Sequence, residues 1–322
     1  MKLLVVGGSG FIGSRLLDVL SARGHTFTNF DRVPAPRYGQ FTTIGDVRSA
    51  EQLTAAARGH DAVIHLAAEH RDDVTPLSLY EEVNIDGARA IIAAVEAAGI
   101  ERVVFTSTVA VYGLDKSDAD EHTTPEPFNE YGRTKLAAER EFRTWAERGA
   151  ERSLTIVRPS VVFGEGNRGN VYTLAKQVSS RRFIMIGKGD NRKSMSYVGN
   201  IVEYLADALE APAGVHLTNY ADKPDLSTRE LIAVLRRSMN LPERDRVRLP
   251  LAVGLAAGHV LDAIGKITGH TFPISAIRIR KFAADTTVNT DRLNAVGYRP
   301  KFSMDEALRR TIEAEFPASE RK

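Results

Sequence analysis

Short apolar runs alternate with longer amphipathic runs through the first half of this 322-residue chain. The apolar runs have the length of buried strands and cover residues 3–6, 26–30, 62–66, 103–106 and 154–157. The runs between them have helical spacing and cover residues 11–23, 50–58, 79–98 and 131–148. Such alternation predicts right-handed βαβ units, and therefore an α/β fold with a doubly wound parallel sheet covered by helices on both faces.

The pattern loosens after residue 159. Residues 164–170 read as a glycine-rich loop, residues 198–209 as a helix that returns to the sheet, and residues 215–218 as a short strand. Helices are expected over residues 228–238, 251–264 and 304–314. We therefore expect a Rossmann-type domain over residues 1–165, to which residues 195–218 return. A smaller, mostly helical C-terminal lobe, residues 166–194 and 219–322, would cover the substrate at the carboxyl edge of the sheet.

Composition excludes several classes of function. The chain has no cysteine, which removes disulfides, thiolate catalysis and cysteine metal sites, and we expect no metal centre. A net charge of +2 gives no indication of a nucleic-acid partner. The longest apolar stretch, residues 249–265, is interrupted by Pro250, His259 and Asp262, and the N-terminal apolar run is too short for a signal peptide. A soluble cytoplasmic protein without a membrane span is the expectation.

A glycine turn follows the first predicted strand and opens the first predicted helix. Gly7, Gly10 and Gly13 would allow a tight turn and bring backbone N–H groups close to a pyrophosphate at the helix N-terminus. Asp31 ends the second strand, where its carboxylate can accept hydrogen bonds from both ribose hydroxyls of a dinucleotide. The same charge would repel a 2′-phosphate, which favours NAD over NADP. Arg32 beside it leaves NADP as the alternative.

Further residues of the same edge are candidates for contact with the cofactor. Asp46 could accept from the adenine amino group and Val47 could pack on the adenine ring, although Asp46 alone could equally serve a helix N-terminus. His65 is expected to be a packed histidine rather than a catalyst. Small side chains after it would let the backbone approach a cofactor closely: Leu66, Ala67 and Ala68.

Hydroxyl groups gather where the fourth strand ends, at Thr106, Ser107 and Thr108. They could hydrogen-bond a substrate alcohol or ketone and relay a proton. Tyr131 and Lys135 lie four residues apart and therefore share one face of a predicted helix. A cation beside a phenol favours the phenolate, so Lys135 is expected to lower the tyrosine pKa from its ordinary value of about 10 and to reach the nicotinamide ribose. The pair indicates redox chemistry at an alcohol carbon.

Taken together, these motifs resemble the extended short-chain dehydrogenase/reductase family, and specifically its nucleotide-sugar epimerase/dehydratase branch. The resemblance covers almost the whole chain. Its motifs are Gly7-x-x-Gly10-Phe11-Ile12-Gly13, Asp31, Asp46-Val47, residues 65–68, Asn84, Val111-Tyr112-Gly113, Tyr131-x-x-x-Lys135, Arg158-Pro159 and residues 196–201.

The resemblance implies roles for individual residues. Thr108 would be the catalytic hydroxyl, which also contacts substrate, Tyr131 the acid and base, and Lys135 its activator. Further positions implied to contact the NAD cofactor are Phe11, Ile12, Asn84, Thr106, Ser107, Tyr131, Lys135 and Pro159. Dehydratases of the family follow the hydroxyl with an Asp-Glu pair, whereas Val109 and Ala110 stand here. Because apolar side chains cannot supply that acid and base, dehydration is excluded.

The implied activity is epimerisation at C4 of a UDP-linked hexose or N-acetylhexosamine by transient oxidation to a 4-keto sugar. A 4-keto-sugar reductase uses the same residues and stays open as an alternative. The apolar residues 249–265 leave a sterol or lipid-alcohol dehydrogenase open, and a non-catalytic NAD-binding regulator is a further alternative. An intact set of Thr108, Tyr131 and Lys135 argues against the last, because a binding module has no use for an activated tyrosine.

Basic side chains are the expected partners of the substrate diphosphate. By position in the family pattern, the first candidates are Arg168 with Asn170, and Lys193 with its neighbour Arg192. Arg278 and Arg280, near a predicted lid, are weaker candidates. Relatives often form homodimers through two helices of the Rossmann domain, and residues 79–98 and 131–148 could do so here.

Overall fold

The computed structural model describes residues 1–71, 74–180, 183–242, 248–268 and 276–317. Strands and helices alternate through the first half as the sequence predicts. In chain order they are β1 Lys2–Val6, α1 Phe11–Ala22, β2 Thr26–Asp31, β3 Thr42–Ile44, α2 Ala50–Ala57, β4 Ala62–His65, α3 Ser78–Glu81, α4 Gly87–Ala98, β5 Arg102–Thr106, β6 Lys116–Ala119, α5 Glu130–Glu147 and β7 Ser153–Pro159. A π-helical turn, Glu82–Asp86, joins α3 to α4 without a break.

The second half adds shorter strands and more helices. In chain order they are β8 Val161–Phe163, α6 Asn170–Ser179, β9 Met185–Ile186, β10 Arg192–Tyr197, α7 Val198–Asp207, β11 Gly214–Tyr220, β12 Asp222–Ser227, α8 Thr228–Ser238, β13 Arg248–Leu249, α9 Leu251–Thr268, α10 Ala276–Ala283, β14 Thr286–Val288, α11 Asp291–Ala295 and α12 Met304–Glu315. Two elements of the second half return to the first: α7 packs against α1, and β11 extends the main sheet beside β7.

The main sheet has seven parallel strands in the order β11-β7-β5-β4-β1-β2-β3. The chain builds outward from β1 to β3 in one direction and then from β4 to β11 in the other. The order therefore reverses between β1 and β4. Ligands of doubly wound sheets bind beside such a switch point, at the carboxyl ends of the strands.

Alternate residues of β1 pack into two separate hydrophobic cores, one on each face of the main sheet. Leu3 and Val5 pack with Leu16 of α1 and residues of α7 on one face, while Leu4 and Val6 pack with residues of α2, α4 and α5 on the other. Successive strand side chains point to opposite faces, so a strand buried on both faces must be continuously apolar. That requirement explains why the buried strands of the main sheet could be predicted from the sequence of the first half.

A second, mixed sheet is built mostly from the C-terminal half, in the order β12-β10-β14-β6 with β8 beside β10, and β6 of the first half forms one of its edges. Strand β13 pairs separately with β9. The elements predicted in the first half agree with the structure to within two residues at each end. The strands of this second sheet were missed. Its central strand, β10, begins with two basic residues and lacks the apolar run that marks a buried strand.

Candidate active site

The glycine turn after β1 is closely packed. Gly7 has a φ of +89°, and a Cβ there would lie 2.4 Å from the Ala67 nitrogen, while a Cβ on Gly13 would lie 2.5 Å from the Gly7 carbonyl oxygen. Larger residues are therefore excluded at both positions. Helix α1 begins after Gly10 without a capping side chain. A pyrophosphate fits this turn, because the first N–H groups of an uncapped helix favour an anion.

Asp31 is held beside the turn by its backbone. Its carboxylate accepts hydrogen bonds from the Ser9 nitrogen at 3.0 Å and the Val33 nitrogen at 3.4 Å. The carboxylate is only partly buried, so it can still accept from ribose hydroxyls. Arg32 is exposed beside it.

The adenine-side candidates are placed differently from one another. Asp46 accepts hydrogen bonds from the Arg48 guanidinium, at 2.7 Å and 3.0 Å, and these hydrogen bonds lower its pKa. Its carboxylate is thus already paired with a cation, and Arg48 also contacts Glu82 at 2.8 Å. Val47 is buried against Gly87. The predicted contacts of Asp46 and Val47 with adenine stay predictions.

The end of β4 lies directly against the glycine turn. The nitrogens of Leu66 and Ala67 both donate to the Val6 carbonyl oxygen, at 2.8 and 3.0 Å. His65 is fully buried and its ring stacks on Phe105 with centroids 5.3 Å apart. Burial holds the pKa of His65 well below its ordinary value. It is a packed, neutral histidine, as predicted.

The Asn84 side chain makes hydrogen bonds within the protein. Its side-chain nitrogen donates to the Glu69 carbonyl oxygen at 3.0 Å and to the Thr134 hydroxyl at 2.9 Å, and its oxygen accepts from the Glu69 nitrogen at 2.9 Å. This amide therefore ties the segment after β4 to α5. Its predicted contact with the cofactor stays a prediction.

Thr108 is oriented by the turn that follows it. Its hydroxyl oxygen caps a short helix, Val109–Tyr112, by accepting from the Ala110 nitrogen at 3.1 Å. Its interaction with the Tyr131 phenol lowers the pKa of that phenol. Because the Ala110 N–H occupies one acceptor position of the hydroxyl oxygen, the Thr108 proton is left to point at the tyrosine. The two residues that the sequence predicts to share a proton relay therefore lie within reach of each other.

Tyr131 and Lys135 project from the same face of α5, which Asn129 caps by accepting from the Gly132 nitrogen at 2.9 Å. Lys135 is buried, with its Nζ 4.2 Å from the centroid of the Phe105 ring. Burial lowers the pKa of Lys135 to about 7, and the charge of Glu139 raises it.

The expected lowering of the Tyr131 pKa by Lys135 was wrong for this arrangement. Burial raises the pKa of Tyr131 to about 12, although the hydrogen bond with Thr108 lowers it. The physical reason is that burial removes water from around the phenol and disfavours its charged form, as it disfavours the charged form of Lys135. In the protein without bound cofactor or substrate, the Tyr131 phenol therefore stays protonated.

A buried polar network behind the pair was missed by the sequence reasoning. Glu139, one helical turn after Lys135, accepts from Arg158 at 2.8 and 2.5 Å and from the Ser107 hydroxyl at 2.5 Å. Arg158 also donates to the Tyr112 hydroxyl at 2.8 Å. Burial lowers the pKa of Arg158, but Glu139 and Tyr112 together raise it by more. The spacing of Tyr131, Lys135 and Glu139 on one helix face was the available signal.

His70 lies at the mouth of the site and was also missed. Its exposed ring approaches Tyr131 edge-on, with centroids 6.5 Å apart. It follows β4 by five residues, in a segment with no periodic pattern to place it.

The predicted diphosphate ligands do not form one cluster. Arg168 ion-pairs with Glu315 of α12, and its guanidinium lies 4.3 Å from the Tyr172 ring centroid. Asn170 is exposed at the first position of α6. Arg192 donates to the Asp225 carbonyl oxygen at 2.7 Å. Arg168 and Arg192 are thus held by neighbouring elements of the C-terminal half.

Lys193 and Arg280 lie on the catalytic side. Lys193 donates to the Ala284 carbonyl oxygen at 3.0 Å; burial lowers its pKa, while Asp285 and Asp115 raise it. Arg280 lies 3.7 Å from the Asp115 carboxylate, in the loop that follows the catalytic hydroxyls. The Arg278 side chain lies outside the described residues. Across the described ranges, no group of histidine and acidic side chains is arranged to hold a metal ion.

The sequence matches a known protein family over most of its length. The model of the NAD dependent epimerase/dehydratase family aligns with residues 3–220. The chain belongs to this family. The resemblance read from the motifs is thereby confirmed, and with it the NAD-dependent class of the cofactor site.

Relatives of the epimerase/dehydratase family match nearly end to end. The chain is 44% identical over 317 residues to the N-acetyl-alpha-D-glucosaminyl-diphospho-ditrans,octacis-undecaprenol 4-epimerase of Escherichia coli O157:H7, covering 98% of this chain and 95% of the relative. It is 30% identical to the UDP-glucose 4-epimerase of Rhizobium leguminosarum bv. trifolii, covering 95% and 94% of the two chains. A solved structure of MoeE5 with UDP-glucose and NAD is 26% identical and superposes with a TM-score of 0.78 over 98% of both chains. The predicted Rossmann-type fold with a mostly helical second lobe is confirmed.

Proposed function

We propose that this protein is an NAD-dependent 4-epimerase of an N-acetylhexosamine joined by a diphosphate to a carrier. The observation that carries the proposal is the placement of Thr108 against Tyr131, with Lys135 one turn further along the same helix face. Val109 and Ala110 follow the hydroxyl, so the acid and base of a dehydratase are missing. What stays possible at this site is removal and return of hydride at an alcohol carbon.

The protein's own residues would move one proton. Thr108 would hydrogen-bond the C4 hydroxyl of the sugar, and Tyr131, once in its tyrosinate form, would accept the proton of that hydroxyl and later return it. NAD, when bound at the glycine turn, would supply the hydride acceptor, and its reduced form would be the hydride donor to the other face of the rotated 4-keto sugar. Lys135 would stabilise the tyrosinate, which burial alone disfavours, and this requires Lys135 in its charged form. The raised pKa of Tyr131 therefore makes the cationic neighbour necessary.

We infer that NAD rather than NADP is the cofactor. The support is Asp31, whose carboxylate is fixed at the glycine turn by two backbone N–H groups. A 2′-phosphate placed there would meet a like charge. Arg32 is exposed beside it and is the feature that would favour NADP.

A polyprenol is the carrier that we propose. The support is the relative that is 44% identical along nearly the whole chain, whose substrate carries its sugar on diphospho-undecaprenol. UDP is the second candidate, because the chain is also similar to a UDP-glucose 4-epimerase and to a structure that holds UDP-glucose. A cytoplasmic location belongs to the same proposal.

The test is to incubate purified protein, with no added nucleotide, with diphospho-undecaprenol-linked N-acetylglucosamine and, in parallel, with UDP-N-acetylglucosamine. If the lipid-linked sugar alone is converted to its galacto epimer, the result supports the proposal. If the UDP sugar alone is converted, UDP is the carrier and the second candidate is correct. Stoichiometric consumption of NADH or NADPH would instead identify a reductase. If neither sugar turns over and no reduced cofactor is consumed, the epimerase proposal fails.

A further inference from the structure

One face of α9 is apolar and exposed along most of the helix. Val253, Ala256, Ala257, Val260 and Ile264 fall within a sector of about 100° when successive residues turn by about 100°. All five are exposed, with 51% of Val253, 58% of Val260 and 41% of Ile264 accessible. We name these five residues the apolar stripe. At about 1.5 Å per residue, it is roughly 17 Å long.

The opposite face of α9 holds the helix against the lobe. A Cβ on Gly254 would lie 2.6 Å from the Ile186 side chain, and one on Gly258 would lie 2.7 Å from the Ala276 nitrogen. The Asp262 carboxylate accepts from the Ala276 nitrogen at 3.0 Å. The helix therefore packs closely against β9 and α10, and the apolar stripe faces away from the protein.

Neighbouring segments extend the same surface. Leu251 at the start of α9 is 38% exposed, and Ile184, next to β9, is 45% exposed. Exposed basic residues lie on or beside the same elements and form its basic rim: Lys188 two residues after β9, Arg229, which ion-pairs with Asp190 at 2.6 Å, and Arg280 on α10, which lies 3.7 Å from Asp115. A contiguous apolar surface with a basic rim is typical of helices that lie in the interface of an anionic bilayer.

The surface lies on the catalytic side of the lobe. Helix α10 packs on α9, and its Arg280 reaches Asp115, seven residues after Thr108. Under the proposed function, on which this inference rests, the diphosphate and sugar leave the membrane only as far as the lipid headgroups. An enzyme for such a substrate must bring its site to the bilayer surface. No helix within the described ranges is long and apolar enough to cross a membrane.

We propose that the apolar stripe docks on the surface of a lipid bilayer and that the basic rim selects anionic lipid. The helix lies in the interface plane, with the valine and isoleucine side chains among the upper acyl chains. All five side chains of the apolar stripe are aliphatic. Aromatic side chains are enriched in protein–protein interfaces, so their absence here favours lipid over a protein partner. A second copy of the chain is the competing occupant that the test distinguishes.

The experiment is flotation of purified full-length protein with vesicles of phosphatidylethanolamine and phosphatidylglycerol, in the absence of substrate. The double variant V253S/V260S is compared with L77S/V296S, which removes two apolar side chains of the same or larger size that are 64% and 69% exposed elsewhere. We expect about a tenfold loss of vesicle binding in the stripe variant, unchanged binding in the control, and weaker binding at high salt. Circular dichroism verifies that both variants are folded.

Absence of binding by the wild type, or equal binding by the two variants, would overturn the proposal. If the substitutions instead dissociate a dimer in sedimentation velocity without changing vesicle binding, the stripe is a contact between two copies. Activity separates this inference from the proposed function. The stripe variant should lose turnover of vesicle-embedded substrate but keep turnover of a short-chain analogue in solution, whereas a wild type inactive on both refutes the function and leaves the vesicle result standing.

Discussion

Replacement of Glu139 by glutamine should destabilise the protein strongly. The Glu139 carboxylate is buried and accepts from the buried Arg158 guanidinium at 2.5 and 2.8 Å and from Ser107 at 2.5 Å. The glutamine amide keeps the shape but removes the countercharge. Arg158 is then left charged in a site of low polarity with neutral acceptors only, the Tyr112 hydroxyl at 2.8 Å and the amide oxygen of the glutamine.

Removal of one partner of a buried ion pair costs about 3–5 kcal/mol, and the amide oxygen can retain one of the hydrogen bonds. We therefore expect Glu139→Gln to lower the free energy of unfolding by about 3 kcal/mol. The matched control is Glu141→Gln on the same helix, whose carboxylate pairs with the exposed Arg89 at 2.8 Å. An exposed pair of this kind contributes less than about 1 kcal/mol.

Urea denaturation of the two variants measures the difference, provided that the slope with denaturant stays constant. The double variant E139Q/R158M should regain part of the loss, because it leaves no unpaired charge. Glu139 also raises the pKa of Lys135, so E139Q should lose epimerase activity at a lower pH on the alkaline side of its profile. Equal stability of E139Q and E141Q would refute this account of the network.

Four further predictions concern single sites and assembly. Tyr131→Phe should reduce turnover by about 10³-fold and leave NAD binding unchanged by calorimetry, since the phenol acts on protons only; near wild-type turnover contradicts the mechanism. Asp31→Ala should raise NADP affinity relative to NAD, and unaltered selectivity in parallel titrations would exclude Asp31 as the selector. Burial raises the pKa of Asp222 from 3.8 to about 6. The folded state therefore keeps a proton at pH values where the unfolded state has lost it, so the free energy of unfolding falls by up to about 3 kcal/mol as the pH rises from about 4 to about 6. Asp222→Asn should flatten this decline in denaturation curves at pH 4 to 7, and an unchanged decline assigns it to other groups. A homodimer through α4 and α5 predicts twice the monomer mass in sedimentation, and a monomer at all concentrations excludes it.

Most of the Rossmann-type half could be predicted from the sequence because burial on both faces forces its strands to be apolar. The runs around Leu4 and Val104 have no other stable placement than the middle of a covered sheet. The second sheet offers no such constraint. Strand β10 begins at Arg192 and gains its place from pairing with β8, β12 and β14, which are distant in the chain. Long-range pairing of short polar strands leaves no local pattern.

The candidate site was predictable where spacing and chemistry coincide. A helix places Tyr131 and Lys135 on one face whatever surrounds it. The surroundings decide the pKa values, however, and these depend on burial that spacing does not specify. The same limit applies to Asp46, whose partner Arg48 lies only two residues away but was not assigned to it. It applies also to Arg168, which is paired with Glu315 147 residues further along the chain.

The departure from the dehydratases at positions 109 and 110 is built into the local packing. Val109 packs against the buried cluster of Val111, Tyr112 and Ala119, and the Ala110 nitrogen is the donor that orients Thr108. A carboxylate at position 109 would lose this contact and be desolvated. The turn that aims the catalytic hydroxyl at Tyr131 is therefore stabilised by an apolar side chain where dehydratases carry an acid. The apolar residue at position 109 and the turn that orients Thr108 therefore belong to one packed segment, which fits the proposed transfer of hydride and a single proton better than it fits loss of water.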